Sequence, residues 1–159
     1  MTNTVWIFTN QRELNKSQFI DYFERKIFRT IRKYKMLPKD KIIKIKKSQD
    51  INTIILKNIL GKKFKVEFNT KPNLSSDNLS DVAEETFKNI LQGKFSGPSL
   101  NNKPLSQLSD KEAELYAKLT GIKGSKKKRD KKIQNLFEKF LQKNQDLELN
   151  VIKAIGQIK

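Results

Sequence analysis

Apolar residues recur at helical spacing along residues 15–36 and predict one long amphipathic helix there. The side chain of Asn15 or Ser17 can cap its N-terminus, and the proline at position 38 predicts that it ends near Met36. The apolar positions fall on one face of this helix; they are Ile20, Phe23, Ile27, Ile31 and Tyr34. The opposite face carries basic side chains, so the pattern predicts a helix with one buried and one charged face.

Shorter apolar runs after this helix predict a small β-α-β unit. Residues 41–46 predict a strand, and residues 50–60 predict a helix that ends at Gly61. In residues 64–68 apolar and charged positions alternate, which is typical of a half-buried strand. At the start of the chain, residues 4–9 predict a β segment or an apolar arm.

Two capping signals predict helices in the second half of the chain. Ser80 or Asp81 can cap a helix that runs to about Leu91 and ends at Gly93. The segment Ser109-Asp110-Lys111-Glu112 has the spacing of a capping box and predicts a helix through Leu119 that ends at Gly121. The polar residues 94–108 between them predict a loop.

A basic stretch, residues 123–132, precedes the last predicted helix, which extends through Gln142. Its apolar stripe consists of Ile133, Leu136, Phe137, Phe140 and Leu141. The tail, residues 147–159, fits either a strand or a short helix. The chain is therefore divided into an N-terminal arm with its long helix (1–37), a β-α core (38–93) and a basic loop with a helical end (94–159), expected to form one compact α+β unit.

Composition narrows the chemistry that this chain can perform. The sequence contains neither Cys nor His, which excludes thiolate nucleophiles, disulfides, cysteine-ligated clusters and histidine bases in these residues. Its 34 Lys and Arg residues outnumber 17 acidic ones, for a formal net charge of +17. Such an excess favours a polyanionic partner. No apolar run reaches the roughly 20 residues that span a bilayer, so we expect a cytoplasmic protein with no membrane partner.

The basic residues are arranged as nucleic-acid contacts would require. Arginines as well as lysines line one helical face, and a KKKR run stands in a loop where it can follow a phosphate backbone. The sequence has no aromatic platform motif, which argues against stacking on single-stranded bases as the main mode. The predicted RNA-binding residues are Arg25, Arg29, Arg32, Lys33, Lys46, Lys47, Lys126, Lys127, Lys128, Arg129, Lys131 and Lys132.

No catalytic residue, metal or cofactor is predicted. A phosphate-cradling loop would stand between the first core strand and its helix, but Lys46-Lys47-Ser48-Gln49-Asp50 contains no glycine. Carboxylates that could form a metal or acid–base cluster are better explained as acids near a helix N-terminus; they are Asp77, Asp81, Glu84 and Glu85. Glu112 is predicted to be a capping residue rather than a reactive acid.

Three blocks of the sequence resemble a known family. The blocks are residues 19–37, residues 78–93 from Asn78-Leu79-Ser80-Asp81 onward, and residues 103–117 with Lys103-Pro104-Leu105. The blocks are scattered over residues 19–117, about two-thirds of the chain. They resemble, in the same order, archaeal and eukaryotic tRNA wobble-uridine thiolases of the PP-loop ATP pyrophosphatase family. The resemblance implies a PP-loop-like (adenine nucleotide alpha hydrolase-like) core.

The sequence departs from this family at its reactive positions. The family's Ser-Gly-Gly-Lys-Asp-Ser loop aligns with residues 46–51, where only Asp50 is retained. The family's cysteines have no counterpart, and only a short stretch separates the β-α unit from the block that begins at Asn78. The resemblance therefore implies a trimmed core and a thiolase-derived pseudoenzyme.

Three functions are consistent with these features. We expect non-catalytic binding of structured RNA, as a lineage-specific ribosomal protein on ribosomal RNA beside other ribosomal proteins. The alternative is a non-catalytic subunit of a tRNA thiolation complex that positions tRNA for an active thiolase partner. A third hypothesis is a residual ATP-dependent tRNA-modifying enzyme that uses Asp50 and Asp81 with magnesium.

Overall fold

A computed structural model describes residues 3–95, 97–127, 129–141 and 146–156. The chain begins with an antiparallel hairpin of β1 (Thr4–Ile7) and β2 (Glu13–Asn15), which leads directly into helix α1 (Lys16–Lys33). Of the predicted β segment at residues 4–9, residues 4–7 form a strand. Its partner β2 has no alternating pattern and was not predicted. The hairpin closes through a hydrogen bond from the Phe8 N–H group, which donates to the Arg12 carbonyl at 2.9 Å.

Helix α1 has the predicted cap and an earlier end. The Asn15 side chain accepts a hydrogen bond from the Gln18 N–H group, and the Gln18 side chain accepts one from the Asn15 N–H group, each at 2.9 Å. The helix ends at Lys33 rather than near Met36, because Lys35 adopts a left-handed φ of 50°. The Met36 N–H group then donates to the Ile31 carbonyl at 3.0 Å and closes the last turn.

The buried face of α1 is close to the predicted seam. Phe23, Ile27 and Ile31 are buried, whereas Ile20 and Tyr34 are only half-buried. Phe19 and Thr30 take their places in the core. The seam is therefore centred on Phe23, whose ring stacks on that of Tyr116 with centroids 4.3 Å apart.

The predicted β-α-β unit is confirmed. Strand β3 (Ile42–Ile45) and strand β4 (Lys65–Phe68) pair in parallel, and helix α2 (Ile51–Leu60) connects them. The sheet has two strands, and the second edge of β3 is covered by Asn73, whose side chain accepts from the Lys44 N–H group at 2.8 Å. Phe68, predicted to be part of a half-buried strand, is 39% exposed at the end of β4, with Lys57 Nζ 4.3 Å from the centre of its ring.

The described residues after β4 form four more helices: α3 (Leu79–Leu91), α4 (Asp110–Thr120), α5 (Lys131–Leu141) and α6 (Leu147–Gly156). The cap of α3 is Asn78, not Ser80 or Asp81; the Asn78 side chain accepts from the Asp81 N–H group at 2.9 Å. The capping box of Ser109 and Glu112 is confirmed.

The predicted ends of α3 and α4 are also confirmed. Gly93 and Gly121 follow α3 and α4 with φ values of 77° and 75°, in the left-handed region. The undecided tail is helical as far as position 156. In the stripe of α5, Ile133 is buried but Leu136 is 37% exposed; Phe137, Phe140 and Leu141 have side chains outside the described residues, as has Gln142.

The described residues form two hydrophobic clusters. The larger one joins α1, β3, α2 and α4, and the smaller one joins α3 to Ile133 of α5 and Ile152 of α6. The larger cluster takes side chains from all three predicted segments, while the segment boundaries themselves stay a prediction. Within the described ranges, no helix is long and apolar enough to cross a membrane.

Candidate functional site

The charged face of α1 lies where the sequence predicts it. Arg25, Arg29, Arg32 and Lys33 are all exposed, opposite the buried face. Arg25 forms an exposed ion pair with Asp21, with Nε and Oδ2 3.0 Å apart. Such surface pairs contribute little to stability, about 0–1 kcal/mol. In the described part of the chain, no ion pair compensates Arg29, Arg32 or Lys33.

A polar groove of about 380 Å³ runs between α1 and the hairpin. Its cationic lining consists of Arg12, Arg25, Lys26 and Arg29, and its acidic lining of Glu13 and Asp21. Tyr22 also lines the groove, but its hydroxyl is engaged: it donates to Glu112 Oε2 at 2.6 Å. Burial and the Glu112 carboxylate raise the pKa of Tyr22 far above its usual value. The groove is therefore a cationic surface with a neutral phenol in its wall.

On its other side, α1 adjoins the turn between α2 and β4. Lys62 Nζ lies 2.9 Å from Glu24 Oε1, and Lys63 Nζ lies 4.4 Å from the centre of the Phe28 ring. Lys62 and Lys63 were not predicted as site residues because they are distant from α1 in sequence. The two consecutive lysines after Gly61 were the sequence feature that could have indicated a cationic site here.

The other predicted basic positions divide into outward and inward groups. Lys46 and Lys47 are exposed after β3, and Lys131 and Lys132 are exposed at the start of α5. Lys126 is also exposed, with its Nζ 3.4 Å from Glu114 Oε1. Lys128 lies outside the described residues. RNA contact by the outward group remains a prediction.

Lys127 and Arg129, which are also predicted to contact RNA, are only partly exposed and turn towards carboxylates of the protein. Lys127 Nζ lies 3.1 Å from Asp77 Oδ1 and 3.0 Å from Asp81 Oδ2. The Arg129 guanidinium, with its side chain 12% exposed, pairs with Asp81 and with Asp110 Oδ1 at 2.7 Å. Carboxylates of the protein thus compensate both charges, and RNA contact by these two cations remains a prediction.

The pKa shifts of these two cations agree with their internal pairing. Burial lowers the pKa of Lys127, but Asp81 and Asp77 outweigh burial, so the net shift is upward. For Arg129, burial likewise lowers the pKa, and Asp110 and Asp81 raise it above its usual value. Both side chains therefore stay charged throughout the physiological range.

The acids that could have formed a reactive cluster have structural roles. Asp81 accepts a hydrogen bond from the Asn78 N–H group at 2.9 Å within the α3 cap, in addition to its ion pairs. Glu84 pairs with Lys88 at 3.0 Å, and Glu85 is exposed. In the described ranges, no group of three or more such residues could hold a metal ion.

Another part of the chain covers the N-terminus of α2, where a phosphate loop would stand. The Ile51 N–H group donates to the Ser125 carbonyl, and the Ser125 N–H group donates to the Gln49 carbonyl, each at 2.9 Å. Asp50 caps the helix by accepting from the Thr53 N–H group at 2.8 Å. A side chain at Gly124 would lie 2.9 Å from the Gln49 carbonyl oxygen, so this close approach requires glycine.

A cavity of about 330 Å³ lies beside this helix end. Its lining includes six carboxylates and four cationic side chains. The carboxylates belong to Asp50, Glu84, Asp110, Glu114, Glu138 and Glu148. The charged side chains that line the cavity are therefore mainly acidic, the opposite of what a polyphosphate would require.

Glu148 in this cavity is expected to make stability depend on pH. It is 6% exposed, and its pKa is raised from 4.5 to about 7. Burial is the main cause; Asp110 and Glu112 also raise this pKa, whereas the Ser80 hydrogen bond and Arg129 lower it. The native protein therefore holds a proton that the unfolded chain has lost between pH 4.5 and 7. The free energy of unfolding should fall across this window, by about 3 kcal/mol from this group.

Glu148→Gln removes this titration. At pH 8 the variant should have a higher free energy of unfolding than the unsubstituted protein, whereas at pH 4.5 it should not. Urea unfolding at both pH values measures the difference, with the exposed Glu85→Gln as control. An equal effect of Glu148→Gln at both pH values would contradict the assigned burial.

No protein-family model and no curated protein sequence matches this chain. Among solved structures, its fold is similar to that of the U34-tRNA thiolase NcsA from Methanococcus maripaludis, determined with its [4Fe-4S] cluster. The TM-score is 0.71 at 11% sequence identity, and the match covers 98% of this chain and 84% of that one. The likeness supports the trimmed PP-loop-like core that the sequence predicts; at this identity it shows the fold alone.

The residues present do not fit an iron–sulfur cluster. Such clusters are held by cysteine thiolates, with histidine as an occasional substitute. This sequence contains neither residue. No chemistry of this chain can therefore be assigned to a cluster of that kind.

The residues do not fit a nucleotide phosphate at the start of α2 either. A phosphate there would have to displace the Ser125 carbonyl from the Ile51 N–H group. It would also have to approach the Asp50 carboxylate, which lies at the same helix end. The missing glycines of the aligned loop and the Ser125 contact both argue against a nucleotide phosphate at this helix end.

Proposed function

We propose that this protein binds structured RNA without catalysing a reaction. The observation that carries the proposal is the exposed face of α1, where Arg29, Arg32 and Lys33 have no compensating carboxylate among the described residues. A net charge of +17 supports it, because like charges on one helix are stabilised by a polyanion. Lys46, Lys47, Lys131 and Lys132 extend the proposed surface.

Ribosomal RNA is the proposed target, with the protein as a permanent ribosomal component. The charge excess and the absence of reactive groups favour this role over a transient one. One observation favours transfer RNA instead: the neighbour of similar fold is a U34-tRNA thiolase. The second candidate is accordingly a pseudoenzyme derived from such a thiolase, which positions tRNA for an active partner.

A residual ATP-dependent enzyme is the least supported hypothesis. Asp50 is the cap of α2, and Asp81 is shared between the α3 cap and two cations. Both carboxylates are thus engaged in holding the fold. The Ser125 contact covers the helix end at which ATP phosphates would bind.

Sedimentation of cell extract through sucrose gradients at several salt concentrations tests the proposed function. We expect the protein to travel with ribosomal subunits at low salt and to leave them as salt rises, with a log–log slope of roughly 0.7–0.9 per phosphate contacted. Comigration with tRNA and a thiolase would favour the second candidate. AMP release from ATP by the purified chain, abolished by Asp50→Ala, would overturn the non-catalytic proposal.

A further inference from the structure

Several aromatic rings near the surface carry a cation of the protein over one face. The pairs, with cation-to-centroid distances, are Arg12 over Phe8 (5.8 Å), Lys26 over Tyr22 (5.2 Å), Lys33 over Tyr34 (5.3 Å), Lys57 over Phe68 (4.3 Å) and Lys63 over Phe28 (4.4 Å). Each pair holds a positive charge in place and covers the ring face that it uses.

Two of these pairs stand on the hairpin side of α1. The Phe8 and Tyr22 rings that carry the Arg12 and Lys26 cations meet edge to face, with centroids 5.1 Å apart. Both cations line the groove between the hairpin and α1. Arg12 and Lys26 therefore place two positive charges on this side of α1, and we call this pair of cations the Arg12 wall.

A third pair stands on the other side of the helix. The Phe28 ring lies 6.4 Å from the Phe64 ring, and the Lys63 cation covers Phe28. Glu24, one helical turn before Phe28, is already paired with Lys62. The turn between α2 and β4 thus supplies the Lys63 cation on this second side of α1, which we call the Lys63 wall. Arg25 and Arg32 lie between the two walls.

The spacing of the walls suits a double-stranded nucleic acid. An α-helix with its side chains is about 10–12 Å across, so cations on its two sides are separated by at least that distance. Double-stranded RNA presents a wide, shallow minor groove bordered by the backbones of both strands. A single strand offers one backbone and is usually held by bases stacked on aromatic faces, but here the cations cover those faces.

We propose that α1 lies across the minor groove of base-paired RNA, with the Arg12 wall on one backbone and the Lys63 wall on the other. This inference rests on the proposed function and specifies its partner as a duplex bound without base stacking. Arg25 and Arg32, which lie between the two walls, contact phosphates at the edges of the groove. Lys63, in a turn that the sequence did not single out, becomes a binding residue.

The test compares an RNA duplex of about 16 base pairs, the span of a known duplex-binding domain, with one of its single strands. Fluorescence anisotropy titrations at several salt concentrations use Arg12→Gln, Lys63→Gln and the double variant. Each single change should lower duplex affinity roughly eightfold at 0.1 M salt and reduce the salt slope by about 1. The double variant should lose roughly 60-fold. The matched control is Lys118→Gln with Lys139→Gln, which should bind as the native chain does.

Two outcomes would overturn the duplex proposal while leaving RNA binding intact. In the first, the native chain binds the single strand as tightly as the duplex. In the second, Arg12→Gln weakens binding but Lys63→Gln does not, so only one side of α1 is used. If the native chain binds neither RNA at any salt concentration, the proposed function itself fails.

Discussion

Changing Arg25, Arg29 and Arg32 together to Gln is expected to abolish most RNA affinity while the protein stays folded. If each contacts one phosphate, the loss of counterion release corresponds to roughly 500-fold at 0.1 M salt, and the salt slope should fall by about 3. The measurement is an RNA titration at several salt concentrations beside a thermal melt of the same sample.

The fold should tolerate this change because the three side chains are exposed. Surface substitutions usually alter stability by about 0.5 kcal/mol or less each. The one ion pair removed, between Arg25 and Asp21, is exposed and separated by one helical turn. Relief of repulsion between neighbouring arginines opposes even that loss.

The matched control removes the same charge elsewhere, with Lys94, Lys118 and Lys139 changed to Gln. These lysines are exposed and lie outside the face of α1. A similar loss of affinity in both variants would mean that total charge, rather than this face, determines binding. An early melt of the arginine variant, with normal RNA binding by its folded fraction, would place the RNA site elsewhere.

Phe23→Ala is expected to destabilise the protein by about 3–5 kcal/mol. The Phe23 side chain has no exposed surface, and its ring stacks on Tyr116 and lies 6.1 Å from the Phe19 ring. Alanine leaves a cavity between α1 and α4 and removes two aromatic contacts, each contributing about 0.5–1.5 kcal/mol in comparable pairs. Urea unfolding followed by circular dichroism measures the change.

A matched control for this variant is Phe95→Ala, which removes a ring that is 51% exposed and should cost far less. RNA affinity of Phe23→Ala, corrected for its folded fraction, should equal that of the native chain because Phe23 does not reach the charged face. A stability loss below about 1 kcal/mol would mean that this ring is not buried as described.

Local sequence patterns were sufficient for most elements. Asn15 with Gln18, and Ser109 with Glu112, form their caps within three residues of chain. Because the hydrogen bonds that start a helix are made by its own first turn, the sequence alone could place them. The charged face of α1 is equally local, since helical spacing puts its arginines opposite the apolar seam.

The hairpin and the α3 cap were harder to predict. Strand β2 is three residues long with a single buried residue, Leu14, so its own pattern is too short to indicate a strand; pairing with β1 and the burial of Leu14 hold it in place. At α3, Asn78, Ser80 and Asp81 are all capping residue types, and the choice depends on further contacts. The Asn78 side chain donates to Asp110 Oδ1 at 2.7 Å, which ties the cap to α4.

The sequence by itself determined most of the elements, the charge and the basic face of α1, but not strand β2 or the helical form of the tail. Only the tertiary structure decided which cations face outward. Lys127 and Arg129 belong to the same basic run as Lys126, yet they turn inward because carboxylates some 20–50 residues away meet them there. The contact of Ser125 with the N-terminus of α2 and the position of Lys63 beside Phe28 likewise depend on the tertiary structure. Ion pairs and ring contacts depend on separation in space, and a one-dimensional pattern does not contain that separation.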